Sequence, residues 1–255
     1  MQEINRILRT AYDADAAAIV PGGGTYAMES VARQIATGKK CLILRNGLFS
    51  YRWSQILDAG SIADETVVLP AVPDSDDAQA AWSPAPIAEV VSAIERERPA
   101  VVFAPHVETA SGMLLPDEYI RAVAEAVHAV GGVFVLDCIA SGAVWVSMRD
   151  LGVDVLISAP QKGWSGSPCA GYVMLSKGGR AVLAARELRS VAAAGYQATS
   201  VVVVHTRNPQ LANGAAFKEV GGQVAAGVPL HTGEPEGFTT FRIGLFGLDK
   251  LGDID

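Results

Sequence analysis

The stretch VFVLDCIASGAVWVSMRDLGVDVLISAPQKGW, residues 133–164, decides the fold. It holds two short apolar runs, Val133–Asp137 and Val153–Ser158, each too short and too apolar on both faces for a surface helix. Such runs read as strands buried on both sides of a parallel sheet. Working outward, further strands are expected at Ala16–Val20, Lys40–Arg45, Glu65–Leu69, Ala100–Ala104 and Cys169–Leu175. Stretches at helical spacing lie between or before them: Gln2–Tyr12, Thr25–Ala36, Phe49–Ala59, Ile87–Arg96, Pro116–Val130 and Gly179–Leu188. This alternation predicts an α/β fold, a mostly parallel sheet flanked by helices on both faces. The tract Pro70–Pro86, rich in Pro, Asp and Ala, reads as a surface loop. After Arg189 the pattern changes to four valines at Val201–Val204, a loop-rich stretch and a strand at Phe238–Ile243. Residues 1–180 are therefore expected to form a large domain, and 181–255 a small C-terminal α+β domain.

Composition excludes several function classes. The net charge of −7, with no clustered Lys/Arg face, argues against a nucleic-acid partner, because phosphate contacts are made mainly by Lys and Arg. The longest apolar runs are far too short to span a bilayer, so no membrane partner is expected. The N-terminal stretch is amphipathic and lacks the apolar centre of a signal peptide. Cys41, Cys138 and Cys169 have neither metal-ligand nor disulfide spacing, which fits a reducing, cytoplasmic setting. No pair among His106, His128, His205 and His231 has metal spacing, and no metal is expected.

Three features carry chemistry. Asp137 ends one strand, where side chains point into the ligand crevice of an open parallel sheet, although Asp also favours caps and turns. Lys162 follows the next strand within four residues, beside Gly163 and Trp164. A lysine near an apolar wall can lose its proton by desolvation and form an imine; alone, a solvated loop lysine is the commoner case. The two side chains can converge on one ligand, as needed where lysine bonds an aldehyde carbon and a carboxylate meets a pyridine nitrogen. Third, Gly22-Gly23-Gly24-Thr25 leads from a strand into a helix, a turn whose free amides suit a single phosphate. It lacks the Lys-Ser/Thr of a Walker loop and the third glycine of a dinucleotide fingerprint, and a plain tight turn is its bland alternative.

These segments, DCIAS at 137–141, SAPQKGW at 158–164 and GGGTYAMES at 22–30, resemble the landmarks of the class V aminotransferases. Those are pyridoxal 5'-phosphate (PLP) enzymes of fold type I, and the likeness is to their alanine–glyoxylate/serine–pyruvate branch. LRNGLFSYRW at 44–53, HVETASGMLLP at 106–116 and TFRIGLFG at 240–247 match further family segments in the same order, with Ala110 where a serine is frequent. The resemblance implies that Lys162 carries the cofactor as a Schiff base and moves the substrate proton. It implies that Asp137 holds the ring nitrogen protonated and that Phe49 and Ile139 pack on opposite ring faces. Gly23, Gly24, Thr25 and Gln161 would contact the phosphate, Thr109 would lie near the ring oxygen, and Arg242 would grip a substrate carboxylate. The implied reaction moves an amino group from a small amino acid to a 2-oxo acid such as glyoxylate or pyruvate, in a homodimer.

Relative to that family, the N-terminal arm and the helices around Gly178–Leu188 are expected to be missing, including residues given to the partner's phosphate site. A same-fold lyase and a non-catalytic nucleotide-binding protein are the alternatives. A desulfurase needs a catalytic cysteine on a late loop, and the last cysteine here is Cys169. His106 is expected to orient a loop, and Cys138, Trp145 and Trp164 to pack or to line the pocket mouth.

Overall fold

The computed structural model describes residues 2–184, 189–193, 201–219 and 221–244. The chain divides into two units, Met1–Leu183 and Ala184–Asp255.

The first unit is built on a seven-stranded sheet. Its strands, in chain order, are β1 (Ala16–Pro21), β2 (Lys40–Arg45), β3 (Glu65–Pro70), β4 (Val101–Pro105), β5 (Val133–Asp137), β6 (Val155–Ser158) and β7 (Ala170–Leu175). Across the sheet the order is β1-β7-β6-β5-β4-β2-β3. Strands β3, β2, β4, β5 and β6 pair in parallel, while β7 runs antiparallel to both β6 and β1. The reversal has a local cause. A parallel return needs a crossover, usually a helix, and residues 159–169 form none.

The pleat sends alternate residues to two cores. Leu42, Leu44, Val102, Ala104, Phe134, Leu136 and Leu156 pack with helices α1 (Gln2–Tyr12), α4 (Ile87–Glu97) and α5 (Asp117–Ala129). Cys41, Ile43, Val101, Phe103, Val135, Val155 and Ile157 pack with α2 (Gly24–Ile35) and α3 (Leu48–Ala59). Trp53 of α3 is fully buried there and stacks on Phe103 with centroids 4.2 Å apart. The fold is thus α/β with a mostly parallel sheet covered on both faces.

The register aligns Pro105, Asp137 and Ile157 across β4, β5 and β6. The carboxyl ends of these strands, and the loops leaving β1 and β2, therefore share one edge. Sequence periodicity did not reveal helix α6 (Met148–Leu151) or the ribbons Val72–Pro73/Trp82–Ser83 and Val107–Glu108/Met113–Leu114. Elements of two to four residues complete too few periods for a pattern to repeat. Helix α7 spans Lys177–Ala184; the rest of the helix expected to Leu188 lies outside the described residues.

The second unit carries a three-stranded antiparallel sheet, with β8 (Val201–His205) and β9 (Ala225–Ala226) on either side of β10 (Thr240–Gly244). Two short helices, Pro209–Ala212 and Ala215–Glu219, join it. No described helix is long and apolar enough to cross a membrane.

Candidate active site

Five loops meet at the carboxyl edge of the large sheet. The first leaves β1 through Gly22, whose φ of 123° suits glycine, and enters α2 at Gly23. Gly23 caps α2 without any side-chain acceptor, so the amides of Gly24, Thr25 and Tyr26 at the helix start receive no capping side chain. A Cβ on Gly24 would come within 2.6 Å of Ile139 Cδ1, so a larger residue here would have to push the Ile139 side chain aside.

The second loop leaves β2 through Asn46 and Gly47 into α3. Here the buried acceptor is Glu108, fully enclosed and contributed by the ribbon after β4. Its carboxylate accepts from Phe49 N (3.2 Å), Ser50 N (2.9 Å), Ser50 Oγ (2.8 Å) and Ala110 N (3.1 Å). An anion at a helix start meets both the free amides and the positive end of the helix dipole. Glu108 thereby joins the α3 turn carrying Phe49 to the ribbon carrying Thr109. Replacing it with alanine leaves several enclosed donors unpaired, so Glu108→Ala is expected to lower unfolding free energy by about 3 kcal/mol. Urea denaturation checks this; a loss below about 1 kcal/mol would contradict the role.

Asp137 ends β5 and is 7% exposed. Its Oδ1 accepts from Ile139 N at 2.9 Å. Burial is the main cause that raises its carboxyl to about 6; the Ile139 amide pulls it down, Glu108 pushes it up and Arg52 pulls it down. Backbone bonds from His106 N to Asp137 O (2.8 Å) and from Cys138 N to Ile157 O (2.8 Å) fix this strand end. His106 itself is buried, its Nδ1 paired with Ser141 Oγ at 2.7 Å, and burial lowers its proton affinity, which suits a loop-holding neutral ring. Cys138 is buried and its thiol is pushed upward by that burial, away from thiolate chemistry.

Gln161 and Lys162 follow β6. The loop is anchored from α1: Tyr12 Oη donates to Ser158 Oγ (3.0 Å), and Trp164 Nε1 donates to Tyr12 Oη (3.3 Å). Trp164 also packs edge-on to Trp145, with centroids 5.0 Å apart. Gly163 lies so close to Gly142 that an added Cβ would meet its carbonyl oxygen at 2.3 Å.

A cavity of about 510 Å³ occupies this junction. Gly23, Gly24, Thr25, Phe49, Thr109, Asp137, Ile139, Gln161 and Lys162, singled out from sequence, all line it. So do Tyr26, Met28, Glu29, Arg52, Val107 and Ala140, to which no site role was given. Arg52 lies within residues 44–53, where helical spacing alone reads it as a surface residue. Glu108 also stood in a matched segment, and nothing local marks it as the cap of a distant helix. Arg242 belongs to β10 of the second unit, where its Nε donates to the carbonyl of Ala226 at 3.0 Å. A larger cavity, about 760 Å³, lies within the second unit against Arg189, His205 and Arg207, without a lysine or carboxylate among its described lining. Among the described residues no cluster of His, Cys, Asp and Glu could hold a metal.

The residues fit the cofactor that the sequence resemblance implies. The start of α2 offers unfilled amides to a phosphate, and Gly24 brings that backbone close. Gln161 Oε1 is buried without a hydrogen-bond partner among the described residues, an unfilled polar position at the same wall. A lysine and a buried carboxylate complete the lining.

No protein-family profile matches the chain. The 2-aminoethylphosphonate–pyruvate transaminase of Vibrio vulnificus (strain CMCP6) is 32% identical over 171 residues, which are 66% of this chain and 43% of that protein. The chain thus spans less than half the length of the curated relatives it matches. Among solved structures, ureidoglycine–glyoxylate aminotransferase from Bacillus subtilis aligns with TM-score 0.62 at 16% identity, covering 97% of this chain and 79% of that one. Alanine–glyoxylate aminotransferase from Nostoc sp. aligns with TM-score 0.61 at 20% identity, covering 98% and 81%. These two likenesses concern the fold.

Proposed function

The chain belongs to the class V aminotransferase family, PLP enzymes of fold type I, and from that premise we propose that it transfers an amino group from a small amino donor to pyruvate or glyoxylate. The observation that carries this reading is the junction of Lys162 and buried Asp137 with the uncapped start of α2 in one cavity.

In this reading Lys162 holds the cofactor covalently through its Nζ, while Gly23, Gly24, Thr25 and Gln161 hold the phosphate. Phe49 and Ile139 enclose the ring, and Thr109 lies by its oxygen. When bound, the cofactor supplies an electron sink that makes the Cα–H of the donor acidic. Lys162 would also be the base that takes the donor's Cα proton and gives it back. Asp137 supplies a negative charge opposite the ring nitrogen and keeps that nitrogen protonated. Asp137 is buried, which strengthens this pairing. Arg242 is proposed, on its motif alone, as the bidentate fork for a substrate carboxylate. A homodimer is proposed on the same family grounds.

The donor is the open choice, and the names of the sequence relatives add 2-aminoethylphosphonate to the amino acids worth testing. Purified protein with PLP, incubated with pyruvate or glyoxylate and a panel of alanine, serine and 2-aminoethylphosphonate, is expected to form alanine or glycine at the expense of one donor. Ammonia released from a donor without any 2-oxo acid would instead identify a lyase. Against a desulfurase, Cys41 and Cys138 are buried and Cys169 is not among the residues lining the cavity.

A further inference from the structure

Arg52 is the cation of the cavity wall, among the described lining residues, that the proposed reaction leaves unused. Its Nη1 donates to Thr25 Oγ1 at 2.8 Å, linking α3 to the first turn of α2. Its guanidinium lies over the Phe49 ring, 5.4 Å from the centroid, a cation–π distance. Because the Thr25 hydroxyl accepts from Arg52, its own proton is left to donate elsewhere.

The charges of the wall decide what this arrangement serves. Among the described lining residues the cations are Arg52 and Lys162. Of the two carboxylates there, Glu29 pairs with Arg33 at 2.7 Å, and buried Asp137 accepts from Ile139 N, with Arg52 near enough to pull its carboxyl down but not hydrogen-bonded to it. A lysine bonded to an aldehyde carbon is no longer a free ammonium available to a distant anion. From the other described lining residues of this chain, a phosphate at the start of α2 would meet neutral amides, a hydroxyl and the partial charge of the helix. We propose that Arg52 is the counter-charge for the cofactor's phosphate, acting directly and through the Thr25 hydroxyl. The proposal rests on the PLP reading above. It names a charge requirement that the glycine turn by itself does not meet.

The test compares PLP with pyridoxal, which has the same ring and aldehyde but no phosphate, in equilibrium binding to wild type, Arg52→Gln and Arg52→Lys. Loss of a charge-assisted hydrogen bond predicts that R52Q weakens PLP binding about 10- to 100-fold. Pyridoxal affinity is expected to stay within about twofold, and R52K to recover most of the preference for PLP. Thermal melting of the cofactor-free variants checks that the α2–α3 contact has not collapsed; should R52Q fail to fold, the PLP-to-pyridoxal ratio of Arg52→Met, which also lacks the charge, against wild type decides. Equal weakening of both ligands would mean a merely structural role and overturn the proposal. Unchanged PLP binding with a raised KM for the amino donor would assign Arg52 to a substrate oxyanion instead, and overturn it too. Wild type that binds neither ligand would overturn the cofactor reading itself, an outcome distinct from the other two.

Discussion

Lys162→Ala is expected to abolish the covalent cofactor bond and to reduce amino transfer by about 10⁴-fold. The size follows from the two tasks assigned to one side chain. A positioned proton-transfer group contributes roughly 10²- to 10⁴-fold, and the covalent attachment that activates the aldehyde carbon is lost with it. The variant is also expected to fold normally. Lys162 is exposed, and what the loop contributes to packing comes from Trp164 and Gly163. Absorbance before and after borohydride reads the bond directly. Wild type loaded with PLP should show a band near the visible edge that reduction removes, leaving the cofactor on the peptide containing Lys162. The variant should bind PLP reversibly and retain none after reduction and dialysis. If the reduced cofactor stayed on the variant, another lysine would be the carrier and the assignment would be wrong.

That Lys162 could be singled out from sequence reflects where it stands. The runs that present it are short and almost wholly apolar, the mark of strands buried on both faces, and their expected ends agree with the structure to within two residues at β5, β6 and β7. Helices α1 to α5 are legible by their repeat: ten or more residues give three turns in which an apolar stripe recurs. The ribbon Val107–Glu108/Met113–Leu114 was not, because two residues a side show no alternation. That ribbon carries Glu108, whose partners Phe49 and Ser50 are 59 and 58 residues away. A cap supplied from so far along the chain has no local sign, unlike the Ser147 cap of α6, which bonds its own helix at Asp150 N. Gly47 is the one indirect trace, since a Cβ there would lie 2.8 Å from the Glu108 carboxyl carbon. The tether from Tyr12 to Ser158 was hidden for the same reason, being set by how α1 lies on the sheet.

Asp137→Asn is expected to separate stability from function. Burial raises the Asp137 carboxyl from its ordinary 3.8 to about 6, so between these values the folded, cofactor-free protein holds a proton that the unfolded chain has released. The folded form is then favoured at low pH, and this contribution is lost as pH rises through about 6. By pH 8 the wild type carries a buried carboxylate at a cost of up to roughly 3 kcal/mol relative to a group with no such shift. Asparagine keeps an acceptor for Ile139 N and carries no charge to bury. Cofactor-free D137N should therefore be more stable than wild type at pH 8 and nearly equal to it below pH 4, measured by urea denaturation across that range. A protonated ring nitrogen reverses the balance, because it supplies the positive partner the carboxylate lacks in the empty cavity. Amino transfer by D137N should then fall by roughly 10²- to 10³-fold, the scale of removing one preorganised charge from an active site. PLP should also stabilise wild type more than the variant. A D137N protein less stable than wild type at pH 8, with turnover intact, would show that Asp137 serves only as the turn former that its place at the end of β5 also allows.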